Sequence, residues 1–246
     1  MSEISFDKYA VKGGYHWVEC FGPLHRINAY TLGRYEMVLA ALSRGKFAPG
    51  SRILDAGCGD GALSGLLAMR LQSQIDGIDV VPMSIELARN EFAKRNLRGS
   101  FQLIDGYDYP FANSTFQAVV CSDVIEHVQK PADMLHEMWR VLAPGGTLVV
   151  TTPIRYTEKP LDRLHVQEWF PDEFQHFCSD VLGVPVALKV SHPVALTEIY
   201  ASSSPWLGRL ARLSINFLAK LGYNPFTHPS HFRAFSTQMA VAKKPL

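Results

Sequence analysis

Arg52-Ile53-Leu54-Asp55-Ala56-Gly57-Cys58-Gly59-Asp60-Gly61 runs from an apolar strand pattern into a cluster of glycines, and a helical pattern follows from about residue 62. Such a loop lets backbone N–H groups approach a bound group closely, because glycine has no Cβ and tolerates left-handed φ. Gly57, Gly59 and Ala62 also satisfy the loose dinucleotide spacing G-x-G-x-x-A, so spacing alone leaves a nicotinamide or flavin reading open. Asp55 discriminates. A carboxylate at the end of that strand repels a pyrophosphate and attracts an ammonium, so the sequence predicts a ligand with positive charge beside Asp55, Gly57, Cys58 and Gly59.

Outward from the loop, short β-branched runs alternate with helical patterns, which reads as a parallel sheet flanked by helices. Strands are predicted at 52–55, 74–79, 101–104, 118–121 and 147–151, with a final strand at 238–242, and helices at 62–71, 82–95 and 131–142. Ala143-Pro144-Gly145-Gly146 is suited to stop the last of these helices. Asp79 ends the second strand, ahead of Val80 and Met83, where a carboxylate can accept hydrogen bonds from both hydroxyls of a ribose. A strand-end turn is its simpler reading. Asp105-Gly106 forms a polar turn able to hydrogen-bond a base while Tyr107 or Met83 packs on the base face, although a plain β-turn explains the pair nearly as well.

The 246 residues suit one enlarged domain or a domain with a cap, and 47% hydrophobic residues can fill its interior, which excludes a disordered chain. Lys and Arg number 24 against 23 Asp and Glu, so the whole molecule has no electrostatic drive toward nucleic acid. The charge is uneven: residues 182–246 hold seven Lys or Arg and one acid. Cys20, Cys58, Cys121 and Cys178 form no C-x-x-C pair, which argues against a zinc knuckle or redox dithiol, and no metal site is predicted. Reduced thiols, no apolar leader and no bilayer-length apolar run point to a cytoplasmic protein, soluble or peripheral to a membrane.

These features continue through Phe116-Gln117-Ala118-Val119-Val120-Cys121-Ser122-Asp123-Val124-Ile125-Glu126-His127-Val128 and Glu137-Met138-Trp139-Arg140-Val141-Leu142-Ala143-Pro144-Gly145-Gly146-Thr147-Leu148. Together they resemble the class I S-adenosylmethionine-dependent methyltransferases over about residues 50–153, in particular the small-molecule, methyltransferase-11 or ubiquinone-biosynthesis-like type. The resemblance implies a Rossmann-like, seven-stranded, mostly parallel sheet with helices on both faces, and S-adenosyl-L-methionine as cofactor. It assigns the methionine end to the glycine loop and Asp55, ribose to Asp79, and adenine to Asp105 and Gly106. Val80, Met83, Tyr107 and Ser122 join them as lining. Gln117 departs from the Asp that many relatives have there, with no expected effect on the cofactor.

In open α/β sheets ligands lie beyond the carboxyl ends of the strands, which places Ser122, Asp123, Glu126, His127 and Thr151-Thr152-Pro153 on the acceptor side. His127 is a candidate base, or a helix cap. His165, with Glu168 as orienter, is its rival in a segment that resembles an acceptor-lining part of the family. Residues 1–48 read as a lid with Tyr9, Tyr15, His16, Trp17 and Phe21, or as an aromatic cluster on the sheet, and residues 49–246 as the methyltransferase domain. Residues 191–236 read as a cap inserted before the last strand. Within that cap, a wheel of about 3.6 residues per turn puts Arg209, Arg212, Asn216 and Lys220 on one side of residues 206–221 and Trp206, Leu210, Leu213, Phe217 and Leu221 on the other. The expected packing docks the apolar side on the domain, with contact to an anionic membrane or homodimerisation as alternatives. A softer likeness to bacterial surface-polysaccharide methyltransferases tilts the acceptor toward a sugar hydroxyl, nucleotide- or lipid-linked, and the basic tail toward an anionic acceptor. An N-methyltransferase, a non-catalytic cofactor-binding partner and a nicotinamide oxidoreductase remain as alternatives.

Overall fold

The computed structural model describes residues 8–45, 48, 50–160, 162–204, 206–228 and 233–246. Helices α1 (Lys8–Lys12), α2 (Tyr15–Phe21) and α3 (Ala29–Leu42) precede an alternating series: β1 (Arg52–Ala56), α4 (Ala62–Leu71), β2 (Gln74–Asp79), α5 (Pro82–Lys94), β3 (Gly99–Leu103). β4 (Phe116–Ser122), α6 (Pro131–Val141), β5 (Leu142–Pro153), α7 (Pro171–Leu182), β6 (Val186–Pro193), α8 (Val194–Ala201), α9 (Leu207–Lys220) and β7 (Phe235–Lys243) complete it. Proline opens α5, α6 and α7, where its missing N–H costs no helical bond.

The seven strands order β3-β2-β1-β4-β5-β7-β6, a Rossmann-like sheet in which β7 runs antiparallel to both neighbours. Val119, Val120 and Cys121 are buried because both faces of the central strands are covered. One apolar core lies under α3, α4 and α5, and a second under α6 and α7. The strand order reverses between β1 and β4, and the crevice outside their carboxyl ends is where such sheets bind ligands. Among the described residues, no helix is long and apolar enough to cross a membrane.

Three details differ from the sequence reading. The third strand starts at Gly99, where it pairs with Ile75, and the fourth extends to Phe116 and Ser122. Residues 143–146 belong to β5 rather than to a separating turn: Leu142 pairs with Phe116, Gly145 donates to the Lys244 carbonyl at 2.9 Å, and Lys244 donates to that of Gly146 at 3.0 Å. Residues 194–234 connect β6 to β7, since the ladder between those strands persists from Pro193 opposite Phe235.

The largest departure concerns α9, whose expected docking face is overturned. Gly208, Ile215, Asn216 and Ala219 face the protein, whereas Trp206, Leu210, Phe217 and Leu221 stand in solvent. The reason is Asn216. Its Oδ1 accepts from the Tyr200 hydroxyl at 2.7 Å and from Ala29 N at 3.3 Å, while its Nδ2 donates to the carbonyls of Ile27 at 2.8 Å and Leu24 at 3.2 Å. The backbone groups ahead of α3 thus take their partners from a polar side chain.

Candidate active site

The loop from β1 to α4 holds left-handed φ of 79°, 52° and 79° at Gly57, Gly59 and Gly61. A Cβ on Gly57 would collide with the Val124 side chain, and one on Gly59 with the Tyr9 hydroxyl, so the sequence needs glycine at both positions. Asp79 fastens the loop: its Oδ2 accepts from Gly59 N and its Oδ1 from Val81 N, each at 2.8 Å. Burial pushes this carboxyl above its ordinary pKa against the pull of those bonds. Each carboxylate oxygen accepts more than one hydrogen bond, so both retain capacity toward hydroxyls.

Asp55 lies behind the loop, 1% exposed, and accepts from Ser64 Oγ of α4 at 2.6 Å. Burial pushes its pKa to about 7, with the Ser64 bond opposing. Cys58 is buried, and its thiol is pushed up by burial and then by Asp55. On the other side of Asp79 the surface opens: Val80 and Met83 are exposed, as is Leu103, which pairs with Asp79 across the ladder. Asp105 and Gly106 are exposed, with Gly106 at φ 76°. The Tyr107 hydroxyl accepts from Lys130 N at 3.1 Å.

The N-terminal helices meet this loop in two ways. Trp17 is core: its indole fills the space over Gly65 and its Nε1 donates to the Asp60 carbonyl at 2.6 Å. Tyr9 is buried against Gly59, its phenol pKa raised by burial and by Asp60, while His16 N donates to Asp60 Oδ2 at 3.0 Å. Tyr15 lies over His16, ring centroids 3.9 Å apart.

At the end of β4, Ser122 Oγ sits 2.9 Å from Thr151 Oγ1 and 3.1 Å from Asp123 Oδ2. Asp123 adopts φ 55°, a strained conformation for a non-glycine residue, and pairs with Arg34 of α3 at 2.9 Å. The buried Arg34 Nε and Asp123 Oδ1 have no partner among the described residues. Arg34 was missed in the sequence because α3 lies outside the recognisable core; its signal was a lone arginine inside the apolar run 29–42. Leu103 was missed as well.

The next turn brings both candidate bases together. Buried Glu126 accepts from Thr152 Oγ1 at 3.1 Å, and burial, then the Asp123 carboxylate, push its pKa well above the carboxylate range. Its carbonyl accepts from Val166 N at 2.8 Å, which draws residues 164–168 onto this turn. His127 and His165 then face each other with ring centroids 4.8 Å apart. His127 Nδ1 donates to the Leu164 carbonyl at 2.9 Å, and His165 Nδ1 lies 2.5 Å from Glu168 Oε1. Both contacts place the ring proton on Nδ1 and the lone pair on Nε2. Ligand atoms of Glu126, His127 and His165 all lie within 4.8 Å of one another, a set able to take a divalent cation that the cysteine spacing did not reveal.

The sequence model of a family described as a methyltransferase domain matches residues 53–146, which hold the glycine loop, Asp79, Asp105 and His127. The chain is similar to the ubiquinone biosynthesis O-methyltransferase of Xanthomonas campestris pv. campestris strain B100, 30% identical over 151 residues. That match covers 61% of this chain and 61% of the relative, under two thirds of the relative's length. The protein of the same description from Xanthomonas oryzae pv. oryzae strain PXO99A is 27% identical over 228 residues, 88% of this chain and 92% of the relative. In fold, the structure resembles a chain from the complex between the Haloferax volcanii Trm112 methyltransferase activator and the putative methyltransferase, with TM-score 0.66, 21% identity and all of both chains covered. With its strand order, its glycine loop and the acid ending β2, the chain is similar to the class I S-adenosylmethionine-dependent methyltransferases, and the match to a methyltransferase domain spans residues 53–146.

Proposed function

We propose that this chain transfers a methyl group from S-adenosylmethionine to a hydroxyl of a small-molecule acceptor, of the sugar, glycolipid or secondary-metabolite class. The observation that carries the hydroxyl reading is His165 on buried Glu168, facing His127 beside the end of β4. A carboxylate on Nδ1 fixes the tautomer and stabilises the imidazolium that forms when Nε2 takes a proton. The O-methyltransferase description of the two Xanthomonas relatives supports the same acceptor chemistry.

The residues fit the cofactor. Gly57 and Gly59 let Val124 and Tyr9 pack directly on the loop and fix its backbone, and Asp79 is held rigid with accepting capacity toward ribose hydroxyls. Val80, Met83 and Leu103 leave an apolar surface that a base ring would cover, with Asp105 and Gly106 at its rim and Tyr107 beside it. Ser122 fixes Asp123 and Thr151 between the cofactor and acceptor ends. Asp55 acts from behind, setting the loop through Ser64. The cofactor, when bound, supplies a methyl group on a positively charged sulfur. What remains for the protein is alignment of the nucleophile, exclusion of water and removal of one proton. Tyr9, Tyr15 and His16 close the loop side against solvent, and His165 or His127 takes the proton. The four free, buried cysteines support a reducing compartment, the cytoplasm.

Turnover of methyl-labelled cofactor over matched hydroxyl and amine acceptors tests this reading. Labelled hydroxyl products are expected, with His165→Gln lowering turnover about 10²- to 10⁴-fold at nearly unchanged cofactor affinity. Labelled amines alone would overturn the hydroxyl assignment, and cofactor binding without transfer to any acceptor would overturn the enzyme reading.

A further inference from the structure

We infer that the outward face of α9 docks on the surface of an anionic lipid bilayer. Trp206, Leu207, Leu210 and Leu221 are 79%, 74%, 60% and 69% exposed, and Phe217 is 53% exposed on the same side. Isolated exposed apolar residues are ordinary, whereas a continuous row of this size on one helix face marks an interaction surface. The row persists because the opposite face is committed: Asn216 and the small residues Gly208 and Ala219 fit closely against the domain, and the four hydrogen bonds of Asn216 fix the helix's rotation.

Charge selects the occupant. Arg209 and Lys220 are exposed at the border of the apolar row, Arg212 stands on the docked side where its charge acts on Tyr200, and Glu198 is the only acid from residue 182 to the end of the chain. A second copy docked about a two-fold axis would bring those cations against their own equivalents. An anionic bilayer instead complements them while its acyl boundary receives the apolar row. With 14 residues α9 is too short to span and suits lying in the interface plane. Trp206 and the half-exposed Tyr223 stand at its two ends, where amphipathic rings sit at the headgroup level. Docking of this kind is independent of which acceptor is methylated.

Flotation of the full chain with phosphatidylcholine–phosphatidylglycerol vesicles, and with phosphatidylcholine vesicles alone, tests the surface. The chain should float with the anionic vesicles and far less with the neutral ones. Arg209→Glu with Lys220→Glu should cut the anionic partition by about tenfold or more and lower its salt sensitivity, because the attraction that salt screens is gone. Leu207→Ser, Leu210→Ser and Phe217→Ser together should abolish flotation while the unfolding transition and cofactor affinity stay unchanged, because all three side chains already face water. Failure of the parent to float, or flotation by the triple variant equal to the parent's, overturns the inference. Sedimentation decides the rival occupant: a dimer that the triple variant dissociates, without flotation by the parent, assigns the face to a second copy.

Discussion

The two orientations of α9 predict opposite outcomes for the same pair of substitutions, Asn216→Leu and Leu210→Ser. In the structure, Asn216→Leu removes all four hydrogen bonds of a buried amide. Ala29 N keeps the Tyr200 oxygen as acceptor at 3.0 Å, and water reaches the carbonyl of half-buried Leu24. The Ile27 carbonyl and the Tyr200 hydroxyl proton are left buried without partners. At about 1–3 kcal/mol for each such group, and with leucine's branched end crowded against them, the loss should be about 3–5 kcal/mol. Leu210→Ser acts on a side chain 60% exposed and should change stability by no more than about 0.5 kcal/mol. Were the apolar row packed on the domain, as the helical wheel alone suggests, Leu210→Ser would cost about 2–5 kcal/mol and Asn216→Leu almost nothing. Urea unfolding followed by circular dichroism measures both, provided the m-values match that of the parent. A loss under about 1 kcal/mol for Asn216→Leu together with more than about 2 kcal/mol for Leu210→Ser would refute the orientation and the membrane surface built on it.

Asp79→Ala should weaken S-adenosylmethionine binding by about 1.5–3 kcal/mol in calorimetry, since it removes a hydrogen-bonded carboxylate and frees Gly59 N and Val81 N; affinity equal to the parent's would sink the ribose assignment. NAD should show no binding heat with the parent. Burial raises Asp55 from 3.8 to about 7, so the folded chain holds a proton there that the unfolded chain has released. Its contribution to stability is therefore full below about pH 4 and lost as pH rises through about 7, up to about 4 kcal/mol at 1.36 kcal/mol per pH unit. Asp55→Asn should flatten that part of the stability–pH curve, and an unchanged slope would show that another group causes it. For a hydroxyl acceptor, losses below tenfold in both His127→Gln and His165→Gln would leave alignment alone as the source of rate.

The central sheet was legible because each parallel strand is an apolar run closed by a turn or a proline-led helix, a pattern set by neighbours close in sequence. The glycine loop and Asp79 were legible for the same reason: the strain at Gly57 and Gly59 is local, and only glycine relieves it. What escaped depends on contacts over long separations. The apolar face of α9 was read correctly as a face, but a wheel cannot say which side turns inward. That choice rests on carbonyls near residues 24–27, almost two hundred positions away, that need a donor. Asp55 was read as facing a ligand because its charge was visible, whereas Ser64, which turns it inward, looks like any helical serine. The Glu126–His127–His165 grouping depends on Val166 donating to Glu126, a bond no spacing announces.

These long contacts give the inserted helices a place in the site. Asn216 and Tyr200 hold the backbone just ahead of α3, Asn224 Nδ2 donates to the Ala29 carbonyl at 2.9 Å, and buried His192 donates from Nε2 to that of Tyr30 at 2.9 Å. Every one of these bonds falls on the first turn of α3 or its approach, and the next turn carries Arg34 to Asp123. The segment between β6 and β7 therefore positions an arginine that reaches the end of β4, although both segments lie outside residues 53–146. The match to a methyltransferase domain covers the residues proposed to hold the cofactor. In the proposed function the acceptor side joins Asp123, Glu126 and His127 of residues 53–146 to Arg34, which the N-terminal and inserted helices position, so changes in acceptor specificity that leave the shared core intact should map to those helices.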